Sequence, residues 1–125
     1  MPTLPKVLII DDDRQLNLLL ESYLREAEYP TATAVDAIQG LMFAQREIPG
    51  LILLDVNLPA GGGLALLERL AKTTRTQRIP VVVITARSEP EIEAQARGMG
   101  AAAFLRKPIA RDTLLDTIAK LVTPA

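Results

Sequence analysis

Three stretches of the chain are almost purely aliphatic: Val7 to Ile10, Leu51 to Leu54 and Val81 to Ile84. Runs of this kind, without polar alternation, suit strands covered on both faces, as in a parallel sheet between two helix layers. Two weaker runs, Thr31 to Val35 and Ala101 to Leu105, read as outer strands in which alanine and threonine replace the larger aliphatics. Between the runs, apolar residues fall at helical spacing. Leu16, Leu19, Leu20, Tyr23, Leu24 and Ala27 trace one face of a first helix. Ile38, Leu41 and Met42 predict a second helix, opened by Asp36 as its N-cap, and Leu64, Leu67, Leu70 and Ala71 predict a third. Leu114, Leu115, Ile118, Leu121 and Val122 predict the last. Glu91 to Gly98 has only Ile92 and alanines as apolar content, so it is expected to be the shortest and most mobile helix.

Strand and helix therefore alternate along the whole chain, with proline and glycine gathered at the junctions, for example at Pro30, Pro49-Gly50 and Pro80. Each return is long enough for a crossover helix, which predicts an α/β fold: one doubly wound (βα)5 domain spanning residues 1–125. A length of 125 residues with 49% hydrophobic content supplies one sizeable core and leaves little for a second. The 14 basic and 15 acidic residues leave a net charge of −1, which offers no broad field for gripping nucleic acid or an anionic membrane. Cysteine and histidine are absent, which excludes disulfides, thiolate chemistry, a Ser/His/Asp triad and a His-ligated zinc site. With no leader-like start and no apolar run of about 20 residues, the expectation is a soluble, cytoplasmic protein.

What ends each aliphatic run carries the chemistry. The first runs into Asp11, Asp12 and Asp13, the second into Asp55 and the third into Thr85, while Lys107 and Pro108 follow the fifth. In an open parallel sheet the ligand crevice lies beyond the carboxyl ends of the strands, so these groups are expected in one pocket. Two carboxylates about 4 Å apart repel by on the order of 4 kcal/mol at an effective dielectric near 20. Lys107 offsets part of that charge, and a hard divalent cation, Mg²⁺, suits the rest.

The segments VLIIDDD, LILLDVNLP, VVVITA and FLRKP, in this order and spacing, resemble the receiver domains of two-component response regulators, over essentially the whole chain. The resemblance implies a flavodoxin-like parallel sheet of order 2-1-3-4-5. It makes Asp55 the phosphoacceptor and places Asp11, Asp12, Asp55 and the backbone carbonyl of Asn57 at the metal, with Asp12 a more direct ligand than Asp11. The Thr85 hydroxyl, the Ala86 amide and the Lys107 ammonium would meet the phosphoryl oxygens, with Thr85 and Phe104 as the switch pair and a cis peptide between Lys107 and Pro108. The implied function is Mg²⁺-dependent phosphoryl transfer to Asp55 from the phosphohistidine of a sensor histidine kinase or phosphotransfer protein, or from a small acyl phosphate. The chain would catalyse its own phosphorylation and dephosphorylation, as a monomer or weak dimer, and present a switched face to a downstream output domain or protein.

Other readings explain fewer residues. Asp13 reads as the N-cap of the first helix. Asp11-x-Asp13, Thr85 and Lys107 superficially fit a haloacid-dehalogenase-like phosphatase, but Arg14 departs from that pattern and Asp55 is left without a role. A degenerate receiver would lack some of the polar positions filled here, and a flavin binder would present backbone donors, not acids, in its first loop. The chain also departs from its family. Ala60 to Gly63 predict a mobile loop, and Ala101 to Ala103 replace the acidic residues used in one kind of receiver dimer. Phe104 stands where many relatives have Tyr, and Ala110 and Arg111 open the last helix without a capping side chain. Asn57 and Arg87 occupy positions at which relatives vary and tune phosphoryl lifetime, where Arg87 would either shield the acyl phosphate from water or have no effect.

Overall fold

The computed structural model describes residues 4–59, 62–86 and 90–122. Strands β1 (Val7–Ile10), β2 (Thr31–Ala34), β3 (Leu51–Asp55), β4 (Val81–Thr85) and β5 (Ala103–Arg106) alternate with helices α1 (Arg14–Glu26), α2 (Ala37–Glu47), α3 (Gly62–Lys72), α4 (Pro90–Gly98) and α5 (Arg111–Leu121). All strand pairs are parallel and the sheet order is β2-β1-β3-β4-β5, as the family resemblance implied. No described helix is long and apolar enough to cross a membrane.

Register and the two-residue period of the strands divide the core into two layers. Leu8 pairs with Ile52, and Ile52 with Val81, so Leu8, Ile10, Ile52, Leu54, Val81 and Val83 face the same way and pack against Ala44 of α2, Leu66, Leu67 and Leu70 of α3 and Ala96 of α4. The alternate residues Val7, Ile9, Leu51, Leu53, Val82 and Ile84 face the other way, against Leu20 and Leu24 of α1 and Leu114 and Ile118 of α5. The central strands are covered on both faces, which accounts for their unbroken aliphatic runs.

The helix termini follow local chemistry. Asp13 caps α1 by accepting from the amides of Gln15 and Leu16, and Asp36 caps α2 by accepting from Gln39. Ala110 precedes α5 with no side-chain cap, and α4, at nine residues, is the shortest helix among the described residues. After α4, Gly100 takes φ +101°, a left-handed conformation that lets the chain turn into β5. The two edge strands sit differently from the sequence reading: β2 stops at Ala34 and β5 begins at Ala103.

The inward faces of three helices also differ from it. In α1, Leu19 is exposed and Asn17 is buried, so the stripe runs Asn17, Leu20, Leu24. In α2, Ile38 is 76% exposed and Met42 52%, while Gly40 and Ala44 face the sheet. The reason is distance: a Cβ at Gly40 would stand 2.6 Å from Ile10 Cδ1, so the close approach of α2 selects small residues and turns larger ones outward. In α3 the inward residues are Gly63, Leu66, Leu67 and Leu70, and Ala71 is exposed. Two of the glycines expected in a mobile loop, Gly62 and Gly63, lie in the first turn of α3; Ala60, Gly61 and Arg87 lie outside the described residues.

Candidate functional site

Each strand delivers its polar residue to one edge. Asp11 continues the β1–β2 ladder through its amide to Ala34 O at 3.1 Å, and Asp55 is the last residue of β3. Both acids are buried, at 0% and 3% exposure, whereas Asp12 is exposed. The buried pair is held in the same way. Asp13 N donates to Asp11 Oδ1 at 2.9 Å and Asn57 N donates to Asp55 Oδ1 at 2.8 Å, so each carboxylate accepts from the amide two residues on. That leaves Oδ2 of each acid turned toward Lys107, whose Nζ lies 2.9 Å from Asp11 Oδ2 and 3.4 Å from Asp55 Oδ2. Lys107 reaches them because its amide donates to Thr85 O at 2.9 Å, seating the end of β5 against β4; the bond from Lys107 to Pro108 is cis.

The electrostatics follow from this packing. Burial raises the Asp11 carboxyl above its ordinary value, more than the Asp13 amide and Lys107 lower it, and the negative Asp55 adds to the rise. Burial pulls the Lys107 ammonium down, but the hydrogen bond and charge of Asp11 and the charge of Asp55 together outweigh it, so its pKa stands above the ordinary value. The site is thus acid-rich, and one cation does not relieve Asp11. Three acids facing one lysine, with carboxylate oxygens of Asp11, Asp12 and Asp55 all within 4.8 Å of one another, form a donor set that fits a hard divalent cation.

Thr85 ends β4 at the same edge, and its Oγ1 accepts from Asn57 Nδ2 at 3.1 Å. Ala86 follows, exposed. Asp11, Asp12, Asp55, Asn57, Thr85 and Lys107 are therefore brought together as the strand ends indicated, while Asp13 is taken up by the cap of α1. Phe104 lies further back, half-buried on β5 and packed against the α2–α4 layer of the core.

The chain matches the response regulator receiver domain family over residues 7–119. It belongs to that family. Among curated receivers it is 35% identical over 119 residues to the DNA-binding dual master transcriptional regulator RpaA of Synechocystis, covering 95% of this chain and 49% of that protein. It is 30% identical to sporulation initiation phosphotransferase F of Bacillus subtilis, covering 92% of this chain and 91% of that one. The receiver thus spans about half the length of the first relative and nearly all of the second. The high-resolution structure of the chemotaxis response regulator CheY4 of Vibrio cholerae superposes with a TM-score of 0.89 at 28% identity, over 96% of this receiver and 100% of that chain.

Two residues of this receiver's edge escaped the sequence reading. Asn17 is buried, and its Nδ2 donates to Asp11 O at 2.9 Å, so Asp11 is gripped at its amide, its carbonyl and one carboxylate oxygen. The signal was present: an amide at i to Leu20 at i+3 and Leu24 at i+7 is a polar residue within a core stripe. Gly63 is the second. A Cβ there would stand 2.5 Å from the carbonyl oxygens of both Asp55 and Val56, so glycine lets α3 press against the backbone that carries Asp55. Glycine alone in a sequence does not reveal what approaches it.

Proposed function

We propose that this receiver accepts one phosphoryl group on Asp55. The observation that carries the reading is the Lys107 ammonium facing one oxygen each of two buried, backbone-anchored carboxylates, beside an exposed third acid. A carboxylate held for salt bridging alone does not need two acidic neighbours; an acceptor site that must also receive a dianionic group needs acids for a metal and a cation in reserve.

In this reading a carboxylate oxygen of Asp55 attacks phosphorus in line. The P–N bond of a donor phosphohistidine breaks as the P–O bond forms, and the departing imidazole takes a proton from solvent. Asp11, Asp12, Asp55 and the Asn57 carbonyl would hold Mg²⁺, which would supply charge neutralisation for the transferring group. Lys107 moves from partnering two carboxylates to partnering the phosphoryl oxygens. The Thr85 hydroxyl leaves Asn57 to donate to a second oxygen, and the Ala86 amide donates to the same group. Asp11 stays in place because Asn17 and the Asp13 amide anchor it. Hydrolysis of the acyl phosphate by water returns the resting state, so the chain catalyses both its phosphorylation and its dephosphorylation. The donor is a sensor histidine kinase or phosphotransfer protein in the cytoplasm, and the switched face acts on an output domain or protein, with this domain monomeric or weakly dimeric and not itself binding nucleic acid.

Intact mass after treatment with acetyl phosphate and Mg²⁺ tests the reading. The expected result is a gain of one phosphoryl group that disappears with EDTA and in Asp55→Asn. No gain with acetyl phosphate or with a phosphorylated histidine donor would overturn it. Labelling that survives in Asp55→Asn but not in Asp11→Asn would instead favour the phosphatase chemistry.

A further inference from the structure

The ring of Phe104 has a cation on it. Arg97, in the last turn of α4, places its Cζ 4.5 Å from the Phe104 ring centroid. The same guanidinium is steered from one turn back, where Glu93 Oε1 accepts from Arg97 Nη2 at 3.2 Å. The side chain also packs against the core layer formed by α2, α3 and α4. A planar guanidinium over an aromatic face is attractive through the ring quadrupole, and phenylalanine has no hydroxyl with which to fix its position by a hydrogen bond. Packing and the cation therefore set where this ring rests.

Sheet register ties the ring to the site. Phe104 pairs with Val83, and Arg106 with Thr85, so Phe104 lies on the same side of the sheet as Thr85, two residues nearer the middle. A Thr85 side chain drawn toward Asp55 vacates volume on that side, and Phe104 is the aromatic next to it. To follow, the ring must leave the guanidinium. Helix α4 carries this contact on a light anchorage, with Ala96 its buried residue.

We infer that Arg97 is a positioning residue for Phe104, a latch that holds the ring in its resting place and sets how readily it follows Thr85. This rests on the reading of Asp55 as phosphoacceptor. The Arg97 side chain is 59% exposed, so the attraction belongs at the weak, solvated end of its class, which corresponds to about a two- to fivefold bias between ring positions.

The chain has two phenylalanines, Phe43 and Phe104, so ¹³C-labelled phenylalanine reads the ring directly by NMR. Wild type, Arg97→Met and Arg97→Lys are compared with and without acetyl phosphate and Mg²⁺, with phosphoryl uptake followed by intact mass in the same samples. In unphosphorylated Arg97→Met the Phe104 resonances should move toward their phosphorylated wild-type positions by about a two- to fivefold population change. Arg97→Lys should move them less, because an ammonium keeps the charge without the stacking plane. Normal uptake with Phe104 resonances unmoved in Arg97→Met would overturn the latch alone. Absence of uptake in the wild type would overturn the reading of the site, and the latch with it.

Discussion

The two faces of the sheet treat their functional residues differently. Asp55 stands in the row of Leu51 and Leu53, on the side covered by α1 and α5, and Asp11 continues the row of Val7 and Ile9. Both acids are buried and anchored to backbone amides, and Asp11 is gripped again by Asn17. Thr85 and Phe104 stand on the opposite side, where Thr85 meets the exposed Asn57 side chain and Phe104 meets an exposed arginine on the shortest helix. On the proposed function, the difference teaches how one small domain would serve two demands. Acceptance of a charged group needs carboxylates that do not relax, because preorganised charge is what the reaction uses. A readout needs residues with two accessible positions of similar free energy, which weak, solvated contacts supply. The Asn57 to Thr85 hydrogen bond joins the two sides at the sheet edge.

The comparison breaks most visibly at Lys107. Lys107→Ala leaves two buried carboxylates without their cation, and the expected loss is about 3 kcal/mol, near the lower end for breaking a buried pair because the lysine is itself partly solvated. Chemical denaturation in EDTA measures it, and added Mg²⁺ should recover part of the loss by binding only the folded state. A stability equal to wild type would show that the acid face is not held by charge. Gly63→Ala comes next. Helix propensity favours alanine, but the added methyl meets the carbonyl oxygens of Asp55 and Val56, which cannot give way as a flexible side chain would. The expected net loss is about 2 kcal/mol, together with slower phosphoryl uptake. Full stability with normal uptake would mean that α3 shifts without disturbing Asp55. Asn17→Ala is the mildest, at about 1 kcal/mol, since it removes one buried hydrogen bond and leaves the Asp11 carbonyl unpaired. If it slows phosphoryl uptake while leaving the Phe104 resonances in place, the division between the faces is sharpened; an equal effect on both would blur it.

Much of this was legible in the chain. The runs Val7 to Ile10, Leu51 to Leu54 and Val81 to Ile84 announce central parallel strands because burial on both faces leaves no room for polar alternation. The edge strands were legible only to within a residue or two, since Thr31–Ala34 and Ala103–Arg106 are half covered and carry short side chains. The face of α2 was legible from hydrophobicity only through Leu41, which packs against the core. Ile38 and Met42 suggested it, yet Gly40 and Ala44 occupy it, because a helix that comes this close to Ile10 is chosen for small size. The same blindness hid Gly63, whose importance lies in two carbonyl oxygens on another element.

By itself the sequence determined which groups share an edge. Every strand of a parallel sheet points the same way, so whatever ends the aliphatic runs, here Asp11, Asp55 and Thr85, must gather at the carboxyl end with Lys107 after the last strand. Only the tertiary structure decided how those groups are divided and held. Register set Phe104 opposite Val83 and hence on the side of Thr85, helix packing put Asn17 under Asp11, and the end of α4 laid Arg97 over the Phe104 ring. Each of these depends on distances between elements far apart in the chain, and a linear pattern of polar and apolar residues does not contain them.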